Sequence, residues 1–189
     1  MMEYIGKTSL YQYLKSKPKK RISEQETKKI FRRIIMGIQY LHIKKIAHRD
    51  IKLDNIMVNE NYDVKIIDFG FSLFTQPGKK LNLHCGTPSY MAPELVAKKD
   101  YLGQPVDIWA LGVLLYKMLT GYYPFNGKKL ANNHMTNPVK GKTDKELFHA
   151  IRRGKFRMPE HITNSAQKII KWMLEHEPEK RPNAQQVIS

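Results

Sequence analysis

His48-Arg49-Asp50-Ile51-Lys52-Leu53-Asp54-Asn55 places an aspartate, a lysine and an asparagine within eight residues at the end of an apolar run. On either side stand short β-like runs, Ile46-Ala47 and Ile56-Met57-Val58, so the polar groups are expected on a loop between strands. A third β-like run, Val64 to Ile67, follows the turn-rich Asn59-Glu60-Asn61-Tyr62-Asp63. Upstream, Ile30, Ile34, Ile35, Ile38 and Leu41 recur at helical spacing after Ser23-Glu24-Gln25-Glu26, which reads as a capping box. That predicts a long amphipathic helix over 24–45, with a shorter one over 9–15 that ends near Pro18 in the basic turn Lys15 to Arg21.

Downstream, 71–91 sustains neither a strand nor a helix period and is broken by Pro77-Gly78, which predicts a long loop of the functional kind. Val106 to Thr120 is apolar almost all round, predicting a buried central helix closed by Gly121. Residues 126–143, rich in Asn, Lys and Gly, read as a flexible insertion. Helical patterns return at 144–153, at 165–174 and after Pro182.

A chain of 189 residues with 41% hydrophobic composition can bury one core. Its 33 Lys and Arg against 17 Asp and Glu give a net charge of +16. The plainest reading is a solubilising surface, and the charge also favours nucleic acid, anionic lipid or nucleotide phosphates as partners. With Cys85 as its only cysteine the chain can form no intrachain disulfide, so an intracellular, cytoplasmic setting is expected. Its start shows no leader pattern, and its longest apolar run, Ile108 to Tyr116, is far short of a membrane span.

Two more acidic triplets follow His48-Arg49-Asp50: Asp68-Phe69-Gly70 after a strand, and Ala92-Pro93-Glu94 after the long loop. In this order they resemble the signature of the eukaryotic protein kinase family. The fold expected is α+β and mainly α-helical, a protein-kinase-like large lobe with a few short strands. The resemblance implies ATP and Mg2+ as cofactors and a protein Ser/Thr hydroxyl as acceptor. Transfer of a γ-phosphoryl group needs the hydroxyl aimed in line, its proton accepted and the phosphate charge neutralised. In the resemblance Asp50 orients the hydroxyl and takes its proton, Asn55 and Asp68 hold magnesium, and Lys52 sets a cation beside the phosphate. Lys52 marks the Ser/Thr type, and Thr87 would bridge Asp50 and Lys52. Glu94 with Arg181 matches an architectural ion pair, and Asp107 an aspartate that holds the catalytic loop. DFGFS and CGTPSYMAPEL look most like the calmodulin-dependent and AMP-activated kinase group.

Met2-Glu3-Tyr4-Ile5 resembles the hinge between lobes, with Met2 as gatekeeper, Glu3 and Ile5 offering backbone hydrogen bonds to adenine, and Met57 in the adenine floor. The division expected is 1–7 hinge and 8–189 large lobe, with the small N-terminal lobe missing. Weak ATP binding and slow or absent phosphorylation by these residues alone follow from that expectation. Leu83 stands where the subgroup carries a phosphorylatable threonine, although Arg49, which would receive that phosphate, is present. Ser9 and Lys117 stand where arginine-directed relatives carry glutamates, leaving Asp54 acidic, so little preference for arginine before the acceptor is expected. One alternative is a non-catalytic pseudokinase or scaffold. Another, a basic nucleic-acid-binding protein, rests on charge alone, without zinc spacing, RNA-binding aromatics or a helix-turn-helix.

Overall fold

Gly103–Thr120 forms helix α4, around which the rest is assembled in this computed structural model, which describes residues 8–125 and 144–189. Its residues are buried on every side, with Trp109, Leu111, Val113 and Leu114 fully enclosed, because a helix apolar all round can satisfy its backbone internally and bury every face. Gly121 ends it at φ 80, and a Cβ there would stand 2.6 Å from the Lys20 carbonyl oxygen, so only glycine serves.

Helix α1 (Leu10–Ser16) and helix α2 (Glu24–Ile43) precede it, and α2 packs on α4 through its isoleucine stripe. Ile30, Ile34 and Ile38 have no exposed surface, and enclosing each contributes about 1.5–3 kcal/mol. Ser23 caps α2 by accepting from the Glu26 amide at 3.3 Å, which is half of the expected capping box. Glu26 turns instead to Lys17 at 2.8 Å and to the Tyr13 hydroxyl, because an ammonium in reach makes a stronger, charge-assisted bond than a neutral amide. Reciprocal boxes form at Ser9 with Gln12 and at Asn183 with Gln186.

Strands β1 (Ile46–Ala47), β2 (Ile56–Val58) and β3 (Val64–Ile66) stand where expected. The long loop contains a strand that was not expected, β4 (Leu73–Phe74), antiparallel to β1 with Ile46 opposite Phe74. Two residues with both side chains exposed carry no alternation to read. β2 pairs antiparallel with β3, Met57 opposite Lys65. Helix α3 (Pro93–Val96) was not expected either; it is one turn, opened by proline at its first position. Helices α5 (Asp144–Arg153), α6 (Asn164–Met173) and α7 (Ala184–Ile188) complete the fold, α6 against α4 and α7 against α2. Among the described residues no helix is long and apolar enough to cross a membrane. The hinge-like residues Met2, Glu3 and Ile5, and the insertion at 126–143, lie outside the described residues.

Candidate active site

The 48–55 loop is held from beneath by Asp107 of α4. Its two carboxylate oxygens accept the backbone N–H groups of His48 at 2.9 Å and Arg49 at 2.8 Å, and the His42 ring stands 2.9 Å from the same carboxylate. Arg49 is thereby kept at φ 67, a left-handed conformation that costs an L-residue with a Cβ about 1–2 kcal/mol.

Asp50 gathers three partners. Lys52 Nζ donates to its Oδ2 at 2.6 Å, Asn55 Nδ2 donates to the same oxygen at 3.1 Å, and Thr87 Oγ1 donates to Oδ1 at 2.8 Å. Lys52 also reaches Thr87 Oγ1 at 3.1 Å, closing a triangle between residues 35 and 37 positions apart in the chain. Burial pushes the Asp50 carboxyl up, but the hydrogen bonds from Lys52 and Thr87, with the lysine charge, outweigh it and hold the group below its ordinary value. Asp50 is therefore ionised at neutral pH. Oδ1 accepts one of these bonds and Oδ2 two, so Oδ1 keeps capacity for a further donor.

Asn55 closes a 3-10 turn over Leu53–Asn55 and also donates to the Asp50 carbonyl at 2.9 Å, which leaves its amide oxygen as the group able to serve a ligand. Asp68 is exposed, at φ 64, with Oδ1 accepting the Gly70 amide at 3.3 Å. Its neighbour Ile67 brings it to the loop: Ile67 N–H donates to the Asn55 carbonyl at 2.9 Å, and the His48 ring meets the Ile67 carbonyl at 3.1 Å. Among the described residues no group of three or more His, Cys, Asp or Glu is placed to hold a metal. One amide oxygen and one exposed carboxylate do suit magnesium, which takes few protein oxygens and completes its shell with phosphates and water. Met57 is half-buried on β2 and bridges Ser9.

Glu94 and Arg181 form a bidentate pair at 2.7 and 2.8 Å. Arg181 also donates to the carbonyls of Glu175, Pro105 and His176 and lies 5.0 Å from the Trp109 ring centroid. Ser9 spends its hydroxyl capping α1, while Lys117 donates to the Gly121 carbonyl at 2.8 Å over the Tyr123 ring. Burial, with Lys20 nearby, pulls Lys117 down to about 8. Tyr90 and Tyr101 are site-supporting residues that sequence reasoning missed. Tyr90 accepts the Leu53 amide at 3.4 Å, and Tyr101 accepts from Arg49 at 2.9 Å. Both are buried tyrosines outside any periodic segment, which was the one signal available.

Lys52→Met is expected to raise the Asp50 titration midpoint, since the cation that favours the charged form is gone while burial stays. In the wild type the lowered value stabilises the fold at pH above the ordinary carboxylate range, and that contribution is lost as pH falls through the folded-state value. Carboxyl-carbon NMR titration checks this; an unmoved Asp50 would show that Lys52 does not govern it.

All 189 residues match the family model described as "Protein kinase domain". NUAK family SNF1-like kinase 1 of Mus musculus is 38% identical over 187 residues, 99% of this chain and 26% of that protein. Probable serine/threonine-protein kinase MARK-A of Dictyostelium discoideum is 34% identical over 189 residues, 100% of this chain and 16% of that protein. Serine/threonine protein kinase OSK3 of Oryza sativa subsp. indica is 36% identical over 181 residues, 96% of this chain and 32% of that protein. The chain thus spans a third or less of the length of these curated relatives. A whole-chain family match, these relatives and the ordered acidic triplets make one case: the chain belongs to the protein kinase family, among the Ser/Thr kinases of the calmodulin-dependent and AMP-activated group.

Proposed function

We propose that these residues are the large helical lobe of a Ser/Thr protein kinase, which moves the ATP γ-phosphoryl group to a Ser or Thr hydroxyl of a protein. The triangle of Asp50, Lys52 and Thr87 is the observation that carries the reading. An acceptor hydroxyl donating to Asp50 Oδ1 is aimed by that bond, and as its oxygen attacks the γ-phosphorus the proton passes to the carboxylate while ADP leaves. Lys52 places a positive charge beside the oxygens on which negative charge develops. Asn55 and Asp68 would hold magnesium, which when bound neutralises phosphate charge.

The 189 residues contain no G-x-G, so a glycine-rich phosphate loop is not among them. Positioning of the phosphates by these residues alone is correspondingly poor, and effective molarity falls steeply with misplacement. Weak ATP binding, with turnover far below that of ordinary kinases, is the expected behaviour of the purified chain. Calorimetric titration with ATP and magnesium, beside Asp68→Ala, tests the assignment. Weak binding that disappears in the variant supports it. Binding that Asp68→Ala leaves unchanged would remove Asp68 from the site, and ordinary turnover from the chain alone would overturn the expectation of weakness.

A further inference from the structure

Thr87 can reach Asp50 only if the long loop that carries it is held in register with the 48–55 loop, and the two are far apart in sequence. Arg49, adjacent to Asp50 and only 5% exposed, is the crossing point. Its Nε donates to the Phe71 carbonyl at 2.6 Å, at the start of the loop, and its Nη1 reaches the Leu83 carbonyl at 3.3 Å, four residues before Thr87. The same Nη1 donates to the Tyr101 hydroxyl at 2.9 Å, and that hydroxyl donates onward to the Leu83 carbonyl at 2.7 Å. Tyr101 thus uses its acceptor and its donor at once, which a phenylalanine can do with neither.

The backbone agrees with the side chains. Leu81 and Tyr101 exchange both N–H groups, at 2.8 and 3.0 Å, and the His84 ring donates to the Lys99 carbonyl at 2.9 Å. Leu83 offers only its carbonyl, since its side chain is 61% exposed. Gly86 then passes Arg49 so closely, at φ 117, that a Cβ would meet the Arg49 carbonyl oxygen at 3.0 Å, and Thr87 follows onto Asp50.

We propose that Tyr101 is a positioning residue, whose hydroxyl clasps the long loop to Arg49 and so delivers Thr87 to Asp50 with no phosphate on the loop. The proposal rests on reading Asp50 and Thr87 as site residues. It makes the loop self-locking: two neutral oxygens, the Leu83 carbonyl and the Tyr101 phenol, both accept from Arg49 Nη1.

The test uses the full 189-residue chain, its unmodified state checked by intact mass, with Tyr101→Phe beside Tyr116→Phe. Tyr116 is an equally buried tyrosine whose hydroxyl donates to the Arg157 carbonyl at 2.7 Å, away from the loop. Tyr101→Phe is expected to speed hydrogen exchange across 81–87 by about tenfold or more. It should also weaken the NMR contact between Thr87 and the Lys52 side chain, whose Oγ1 and Nζ stand 3.1 Å apart; Tyr116→Phe should change neither. Unchanged exchange in Tyr101→Phe, an equal change in Tyr116→Phe, or a loosened loop with the Thr87–Lys52 contact intact would each overturn the clasp. So would a phosphate found by intact mass on the loop of a wild-type chain whose 81–87 amides exchange slowly. In the wild type, the Tyr101 hydroxyl proton should give a slowly exchanging NMR resonance, and its absence would count against the proposal even if the variant fails to fold. None of these readouts needs turnover, so a chain that binds no ATP would count against phosphoryl transfer and leave the clasp standing.

Discussion

Asp107→Ala is expected to destabilise the chain by about 3 kcal/mol or more, read as a lower urea midpoint at unchanged slope. Asp107 is 1% exposed and is the acceptor for two buried backbone N–H groups, those of His48 and Arg49, with His42 on the same carboxylate. Removing it strands donors that water cannot reach, each costing about 1–3 kcal/mol. It also removes what holds Arg49 at positive φ, so the loop that presents Asp50 relaxes toward ordinary backbone. The Asp50 titration should therefore drift toward the ordinary carboxylate value in the same variant. Asp107→Asn keeps one acceptor oxygen and should fall between the two. A cost below about 1 kcal/mol for the alanine variant would mean that the loop is held by something other than this carboxylate.

Arg181→Ala is expected to cost about 3–5 kcal/mol, because it leaves the Glu94 carboxylate buried with no counter-charge. The side chains of Arg181 and Glu94 are 0% and 8% exposed, so adding salt should not narrow the difference between variant and wild type, as it would for a surface pair. Arg181→Lys is not a conservative change here. A lysine keeps the charge but cannot fork to both Glu94 oxygens while also serving the carbonyls of Glu175, Pro105 and His176, so a loss of about 2 kcal/mol is expected. The pair anchors α3, which follows directly on the turn bearing Thr87 and Tyr90, so the variant should also loosen that turn in hydrogen exchange. A lysine variant as stable as the wild type would show that charge alone, and not the fork, holds α3.

Long elements were legible because burial imposes a period on the residues that face the core. The isoleucine stripe of α2 and the unbroken apolar run of α4 each announce a helix, and Gly121 announces its end. Two of the short elements were not, although β1, β2 and β3 were expected from their apolar, β-branched residues. β4 and α3 are two and four residues long, below the length at which any period can be counted, and they exist because β1 and Arg181 stand opposite them. Glu26 shows the same limit at a single side chain, where a local capping pattern gave way to Lys17 and Tyr13 arriving from α1 and the turn after it.

Of the candidate site, residue identity was readable and geometry was not. Asp50, Lys52 and Asn55 lie so close along the chain that their convergence follows from local backbone, and the order of the acidic triplets named the family without any coordinates. That Thr87 closes on Asp50, that Arg49 meets Phe71, Leu83 and Tyr101, and that Asp107 carries the whole loop are contacts across 22 to 59 positions of chain. Sequence alone determined which groups are present and which long segments are helical, because both depend on neighbours within a few residues. Only the tertiary structure decided which oxygen each donor faces, since that depends on how separate segments pack, and hydrogen bonds are decided by tenths of an ångström that no local pattern encodes.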